Sequence, residues 1–271
     1  MEKIQQAARI IASSSDVLVF SGAGVSAESG IPTFRGEGGL WERYPANIYA
    51  NLPGLAGVFL LSKDRIASFF SDALRPLVEA KPNPAHEALA RLEEAGKISA
   101  IVTQNIDDLH LAAGSREVLE VHGSAYRVRC SRCGSREGRS RKDINDVLDK
   151  LDVPTVSRRQ MISALNEFAG KCLCGGRYRP DVVFFGESLP MDTIEEAADR
   201  ASRCDCLISV GTSVLVYPAA TVPAIASSCG ARVIDINPTE TTLSSTADVF
   251  VKMEAGKAMP AIADEVLRMT N

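Results

Sequence analysis

The sequence predicts an α/β protein whose body is a doubly wound parallel sheet, with a second, smaller domain made from insertions. Three observations carry this reading. Segments with apolar residues at helical spacing alternate with short continuous apolar runs, the pattern of strands buried on both faces between helices. The first such run ends in a glycine-rich turn. The length, 271 residues with 45% apolar and 24% charged, allows a large core and a small one.

The first helix rests on Ile4, Ala7, Ala8 and Ile11, and the first strand on Val17, Leu18, Val19 and Phe20. Asn83-Pro84 opens a helix that runs to about residue 95, where Gly96 stops it, with proline just inside the start and glycine just past the end. A strand follows over residues 100–103. The alternation then repeats as a helix over 194–202, a strand over 206–210, a helix over 220–228, a strand over 232–236 and a last helix over 260–269. Residues 31–80, rich in glycine and proline early and helical late, break the rhythm once. Residues 126–177 break it again with twelve Lys or Arg against six Asp or Glu. The body is therefore assigned to 1–40, 81–125 and 178–271, with insertions at 41–80 and 126–177.

Thirty basic against thirty-four acidic side chains give a formal charge of -4, which provides no general attraction to nucleic acid or anionic lipid. Two uncharged runs, 44–62 and 206–231, are long enough to test as membrane spans. The first carries Pro45, Asn47, Asn51 and Pro53, the second Pro218, Pro223 and six Ser or Thr, so both read as loops and buried elements and no membrane partner is expected. The first ten residues lack a basic-then-apolar layout, which points to the cytoplasm. Seven cysteines include the pairs Cys130-x-x-Cys133 and Cys172-x-Cys174, with 38 residues between them. In a reducing compartment this suggests four thiolates closing a structural zinc site rather than disulfides. Cys204, Cys206 and Cys229 sit in apolar surroundings and read as small buried hydrophobes.

After the first strand comes Gly22-Ala23-Gly24-Val25-Ser26-Ala27, a turn in which glycines let backbone approach a phosphate and following helical amides stabilise its charge. The third glycine of G-x-G-x-x-G is replaced by Ala27, and no acidic residue closes a second strand about twenty residues on, so the ordinary dehydrogenase fingerprint is not met. A purely structural glycine turn stays open from this piece alone.

The segment GAGVSAESGIPTFRG is followed by Gln104-Asn105-Ile106-Asp107-Asp108-Leu109-His110, His122-Gly123, a run from Arg179 to Glu187, Gly211-Thr212-Ser213 and Asp235-Ile236-Asn237-Pro238. In this order the motifs resemble the sirtuin family along the whole chain. The resemblance implies a Rossmann-like NAD-binding body, a helical cofactor-loop insertion at 41–80 and a zinc-binding insertion at 126–177. It also implies NAD-dependent removal of acyl groups from lysine side chains of proteins, releasing nicotinamide and O-acyl-ADP-ribose.

Residue by residue, the resemblance puts Asn105 and Asp107 on the nicotinamide amide beside Ile106, and Gln104 on the ribose. Gly22, Ala23, Gly24 and Ser26 surround the phosphates, Arg35 adds positive charge, and Phe34 covers the ribose face. Gly211, Thr212, Ser213 and Asn237 meet phosphate or ribose, and Ala255 lines the adenine pocket. In the mechanism the resemblance implies, the acyl-lysine oxygen attacks the ribose carbon as nicotinamide leaves, giving an alkylimidate. A general base must then deprotonate a ribose hydroxyl, and His122 is the candidate because an imidazole with pKa near ~6.5 suits that task. His86 and His110 read as structural.

The acyl-lysine peptide in this family adds as a strand, here against Val183, Phe184, Phe185 and Gly186 and against Val214 and Val216. Relatives that prefer acidic acyl groups carry Tyr and Arg three residues apart on a helix. Phe70 and Ala73 stand there instead, which favours acetyl or other neutral acyl groups. Arg75 lies nearby. Two competing readings remain at this point. One is a zinc-ribbon nucleic-acid binder, motivated by seven Lys or Arg between Arg127 and Lys142 but lacking an aromatic stacking set beyond Tyr126. The other is ADP-ribosyl transfer or plain NAD hydrolysis in the same pocket.

Overall fold

A computed structural model of the chain describes residues 1–36, 38–152 and 156–270. In chain order the elements begin with α1 (Glu2–Ser13), β1 (Val17–Ser21) and a 3-10 helix (Ala23–Ser29), and continue with α2 (Leu40–Arg43), α3 (Ala46–Tyr49), α4 (Leu52–Leu61) and α5 (Lys63–Glu79). Next come α6 (Pro84–Glu94), β2 (Ile98–Thr103), α7 (Leu109–Ala112), β3 (Val118–Glu120), β4 (Gly123–Cys130) and β5 (Arg136–Gly138). Then follow α8 (Arg141–Leu151), α9 (Arg158–Ala169), β6 (Tyr178–Val182), α10 (Met191–Arg203) and β7 (Cys206–Val210). The chain closes with α11 (Thr221–Ser228), β8 (Arg232–Ile236), β9 (Val249–Val251) and α12 (Ala255–Thr270).

The chain divides into two units, one of residues 1–31, 81–122 and 189–271 and one of residues 32–80 and 123–188. The first is built on a six-stranded sheet in the order β3-β2-β1-β7-β8-β9, parallel at every pairing. The order reverses between β1 and β7, and in such sheets ligands bind beyond the carboxyl ends of the strands at that switch point. One face of the sheet, with Val17, Val19, Ile101, Ile208, Val210, Ile234 and Ile236, is covered by three helices. Their buried positions keep helical spacing: Ile4, Ala7, Ala8 and Ile11 on α1, Ala85, Ala88, Leu89 and Leu92 on α6, and Ala258, Met259, Ile262, Ala263 and Val266 on α12. The many alanines let the helices lie close to the sheet, so the core is formed mainly by β-branched strand residues.

α6 begins as its sequence dictates. Asn83 Oδ1 accepts the Ala85 amide at 2.9 Å, the His86 ring takes the Asn83 amide at 3.3 Å, and Gly96 turns the chain away in the left-handed region at φ 71°. α12 differs from expectation by starting at Ala255, with Pro260 inside it. The apolar repeat from Ala255 to Val266 carries the helix through the proline, whose missing amide costs one hydrogen bond near the helix start. The edge strands β3 and β9 are only three residues each, too short for a period to show in sequence.

The second unit joins both insertions. Its antiparallel sheet has the order β5-β4-β6, and its helices and the segments joining them share an apolar cluster of Leu40, Tyr44, Tyr49, Leu55, Ile66, Phe69, Val147, Leu151, Val156 and Met161. Residues 52–61, part of the first uncharged run, form helix α4 with Leu55 as its buried residue. Among the described residues no helix is long and apolar enough to cross a membrane.

Candidate functional site

The turn after β1 and the turn after β7 meet backbone to backbone. The Gly24 amide donates to the Gly211 carbonyl at 2.7 Å and the Gly22 amide to the Val210 carbonyl at 3.3 Å. A Cβ on Gly24 would lie 2.7 Å from the Gly211 oxygen, and one on Gly211, at φ 60°, would lie 2.2 Å from the Val25 nitrogen. These glycines are therefore required by the fold itself. The segment from Ala23 to Ser29 is a 3-10 helix rather than an α-helix, and the Gly24 and Val25 amides are spent inside the protein, Val25 on the Gly22 carbonyl at 3.0 Å.

At the carboxyl ends of β1 and β2 lies a buried polar cluster. Ser26 donates its hydroxyl to Asp107 Oδ2 at 2.7 Å and accepts from Asn105 Nδ2 at 3.0 Å. Asp107 Oδ1 accepts the Leu109 amide at 3.0 Å. Burial pushes the Asp107 carboxyl above the usual carboxylate range, opposed by the hydrogen bonds from Leu109 and Ser26. His86, read as structural, sits 3.4 Å from Ser26 by its Nε2, so a capping residue also touches this cluster. Burial depresses His86 to about 4. His110 lies 2.9 Å from Ser21 Oγ, and burial depresses it to about 3. Ile106 is half-buried beside them in sequence.

His122 is half-buried at the end of the turn following β3. Its Nδ1 lies 3.0 Å from the Gln104 carbonyl, an acceptor only, so the proton is on Nδ1 and Nε2 keeps its lone pair. Burial lowers its pKa and the bond to Gln104 partly opposes this, leaving a neutral ring at neutral pH. Gln104 continues to Thr212, donating from Nε2 to Oγ1 at 2.8 Å, and Asn237 Nδ2 donates to the Thr212 carbonyl at 3.1 Å. Ser213 is exposed. Ala255 is buried at the first position of α12, where the Gly256 amide donates to Glu28 Oε2 at 2.5 Å. Glu28 was not foreseen, because a contact spanning 228 residues leaves no local signal.

In the second unit, Phe34 is 40% exposed and stacks on Trp41 with ring centroids 5.2 Å apart, and Arg35 is exposed. Strand β6 ends at Val182, and residues 183–187 form a turn in which Glu187 Oε2 accepts the Phe184 amide at 3.0 Å and both its oxygens meet the Arg179 guanidinium. This charge pairing holds Glu187 below the usual carboxylate range. Val183 and Phe184 are half-buried, and Phe185 and Gly186 are exposed. Phe70 and Ala73 pack against the helical apolar cluster, while Arg75 turns to Asp152 at 2.9 Å. In the first unit, Val214 is buried and Val216 half-buried.

The four paired cysteines converge, with all Sγ atoms within 4.8 Å of one another. Cys130 to Cys174 and Cys133 to Cys172 are each 3.6 Å, against roughly 3.8 Å for a tetrahedron with ~2.3 Å zinc–sulfur bonds. Amides aim at the sulfurs, Arg132 N at Cys130 Sγ at 3.4 Å and Gly176 N at Cys174 Sγ at 3.3 Å. The short Cys172-x-Cys174 spacing is accommodated because Gly175 takes φ 80° and a Cβ on Gly176 would lie 2.7 Å from Cys130 Sγ. The donor set fits one structural zinc ion with no open position. The remaining cysteines take no part: Cys204 and Cys206 are buried as expected, with thiols pushed up to about 12 by burial, whereas Cys229, expected to be buried with them, is exposed just past the end of α11.

The family model described as the Sir2 family matches residues 22–218. The NAD-dependent protein deacylase of Pyrococcus abyssi is 39% identical over 266 residues, covering 98% of this chain and 99% of that protein. NAD-dependent protein deacylase 2 of Pyrobaculum aerophilum is 42% identical over 263 residues, covering 96% and 95%. Among solved structures, a Sir2 homologue in complex with NAD superposes with a TM-score of 0.78 at 36% identity, covering 98% of this chain and 95% of the other. A Sir2 structure with a p53 peptide and NAD gives 0.75 at 32% identity, covering 97% and 98%.

Proposed function

The chain belongs to the Sir2 family, and from that premise and the site geometry we propose that it removes acetyl or other neutral acyl groups from protein lysines with NAD as co-substrate. The observation that carries the residue roles is the fixed His122 ring, with Nδ1–H on the Gln104 carbonyl and Nε2 left as a base. NAD, when bound, would supply an electrophilic ribose carbon by releasing nicotinamide, and its ADP-ribose part would take the acyl group. The chain's residues supply the rest. Asn105 and Asp107, held by Ser26, orient the nicotinamide amide, and His122 Nε2 takes a ribose hydroxyl proton, a transfer worth typically ~10²–10⁴ in rate.

Gly22, Ala23, Gly24, Ser26 and Arg35 contact the phosphates, Gln104, Gly211, Thr212, Ser213 and Asn237 the ribose and phosphate, and Ala255 the adenine. Phe34 shields the ribose carbon from water. The exposed Phe185 and Gly186, with Val183 and Phe184, receive the acyl-lysine peptide, as do Val214 and Val216. Phe70 among apolar side chains, and Arg75 engaged by Asp152, support a neutral acyl group.

The basic insertion supports a structural rather than a nucleic-acid-binding role. Arg127 and Arg129 pair with buried Asp181, Arg132 donates to the Cys174 carbonyl, Arg139 to the Phe168 and Ala169 carbonyls, and Arg141 to Val78 and Ala80. A site of four reduced thiols suits the cytoplasm. The test is mass spectrometry of acetyl- and succinyl-lysine peptides incubated with the protein, with and without NAD. Loss of acetyl with formation of acyl-ADP-ribose is expected, with succinyl untouched. NAD consumption with the peptide unchanged would move the reading to hydrolysis or ADP-ribosyl transfer, and no consumption would sink both.

A further inference from the structure

We propose that Asp235 is a positioning residue of the dinucleotide site: a buried carboxylate that fixes the loop after β8 and, through it, Asn237. The inference rests on the reading that Asn237 meets the adenosine ribose. Asp235 is fully buried in β8, two residues before Asn237. Its Oδ2 accepts the hydroxyls of Thr241 and Ser244, each at 2.7 Å. Those same hydroxyls accept loop amides, Thr241 N on Ser244 Oγ at 2.8 Å and Leu243 N on Thr241 Oγ1 at 3.1 Å. One carboxylate oxygen therefore gathers the whole turn from Thr241 to Ser244.

The segment between strand and turn is short and held at its other end by Asn237. Asn237 Oδ1 accepts from the Thr239 amide and hydroxyl, both at 3.3 Å, while its Nδ2 reaches the Thr212 carbonyl at 3.1 Å. With Asn237 tied to the β7 turn and Thr241 tied to Asp235, residues 238–240 have little freedom. The ribose-binding amide is thus oriented before ligand arrives, and preorganisation of this kind acts on affinity.

A carboxylate is an expensive choice at a fully buried position, since desolvating it costs energy that a partner must offset. Among the described residues Asp235 forms no ion pair, and its compensation is the two hydroxyl donors. Its Oδ1, and Oγ of Ser209, make no hydrogen bond to the described residues. Ser209 is the register partner of Asp235 on β7, so the two side chains share a face of the sheet. An asparagine at 235 can therefore keep its oxygen on Thr241 and Ser244 and turn its amide nitrogen toward Ser209. That makes the conservative variant informative.

The experiment titrates ADP-ribose calorimetrically into the full chain and measures steady-state deacetylation at varied NAD, for Asp235→Ala, Asp235→Asn and the loop double variant Thr241→Val with Ser244→Ala. Asp235→Ala and the double variant are expected to raise the ADP-ribose Kd and the KM for NAD about fivefold, with kcat at saturating NAD within about twofold, the split of an effect on binding. Asp235→Asn is expected to return both within about twofold of the parent. If Asp235→Ala does not fold, the double variant decides. A lowered Tm with unchanged Kd and KM in the double variant would overturn the proposal. So would Asp235→Asn as weak as Asp235→Ala. A parent protein that neither binds ADP-ribose nor consumes NAD would instead remove the reading of the site, a result visible before any variant is made.

Discussion

The side-chain amide of Gln104 reaches across the end of β1 to Thr212 Oγ1 at 2.8 Å, joining the carboxyl end of β2 to that of β7 above the glycine turn. Thr212 Oγ1 also accepts the Val214 amide at 3.2 Å. Thr212→Val removes the acceptor while keeping the shape, leaving two donors to find water or go unpaired, at about 1–3 kcal/mol. The expected outcome is a weaker NAD affinity, by about tenfold for each 1.4 kcal/mol, with a smaller change in kcat. Calorimetry with ADP-ribose checks it.

His122→Ala is expected to lower deacetylation by ~10²–10⁴ while ADP-ribose and acyl peptide still bind and the Tm stays close to the parent's. Burial sets the direction of the pH profile. A folded pKa below the ordinary 6.5 keeps the base form dominant at neutrality, so the acid limb of kcat/KM lies below pH 6.5. A limb centred above 7 in the parent enzyme would assign the base elsewhere.

His86 and His110 make stability fall on acidification. Both are pushed down by burial, to about 4 and about 3, so on unfolding each takes up a proton once the pH is below 6.5. Their stabilisation is full above the unfolded pKa and is lost as pH falls toward the folded values. Each contributes up to about 1.4 kcal/mol per pH unit in that window. The raised Asp107 carboxyl acts in the opposite sense, but only nearer its own range. Denaturant titrations at pH 7, 6 and 5 should show the midpoint falling most steeply between the last two. A flat profile would mean that these rings are not buried neutral.

Zinc content should be one ion per chain by atomic emission. Stripping it with a strong chelator, or replacing Cys174 by Ser, is expected to loosen the small sheet before the large one, because metal affinity is part of that module's folding energy. Hydrogen exchange discriminates the outcomes. Amides of β4, β5 and β6 should lose protection while β1, β2 and β7 keep theirs, and uniform loss in both sheets would contradict a separate role for the metal.

Much of the first unit was legible because its signals are local. The spacing of Ile4, Ala7, Ala8 and Ile11, the Asn83-Pro84 start with Gly96 as stop, and the apolar runs at 17–20 and 206–210 each fix one element through a few neighbouring residues. The four cysteines named their own chemistry for the same reason, since thiolates so spaced have few other uses in a reduced protein. Strands β3 and β9 were not legible, because three residues of edge strand gain their state from the neighbouring strand and not from a pattern of their own.

What the sequence by itself determined was the alternation of helix and strand, the metal-ligand set and the order of the motifs. Which residues act together was decided by the tertiary structure. The sequence could not say that Gly22 and Gly24 are small because the Gly211 turn packs onto them, that Glu28 holds the Gly256 amide, or that His86 both caps α6 and touches Ser26. Nor could it say that Asp235 gathers the turn from Thr241 to Ser244 that follows Asn237. These contacts join residues that are far apart in the chain, or turn on the directions of individual lone pairs, and they exist only once the parallel sheet has brought the ends of β1, β2, β7 and β8 side by side.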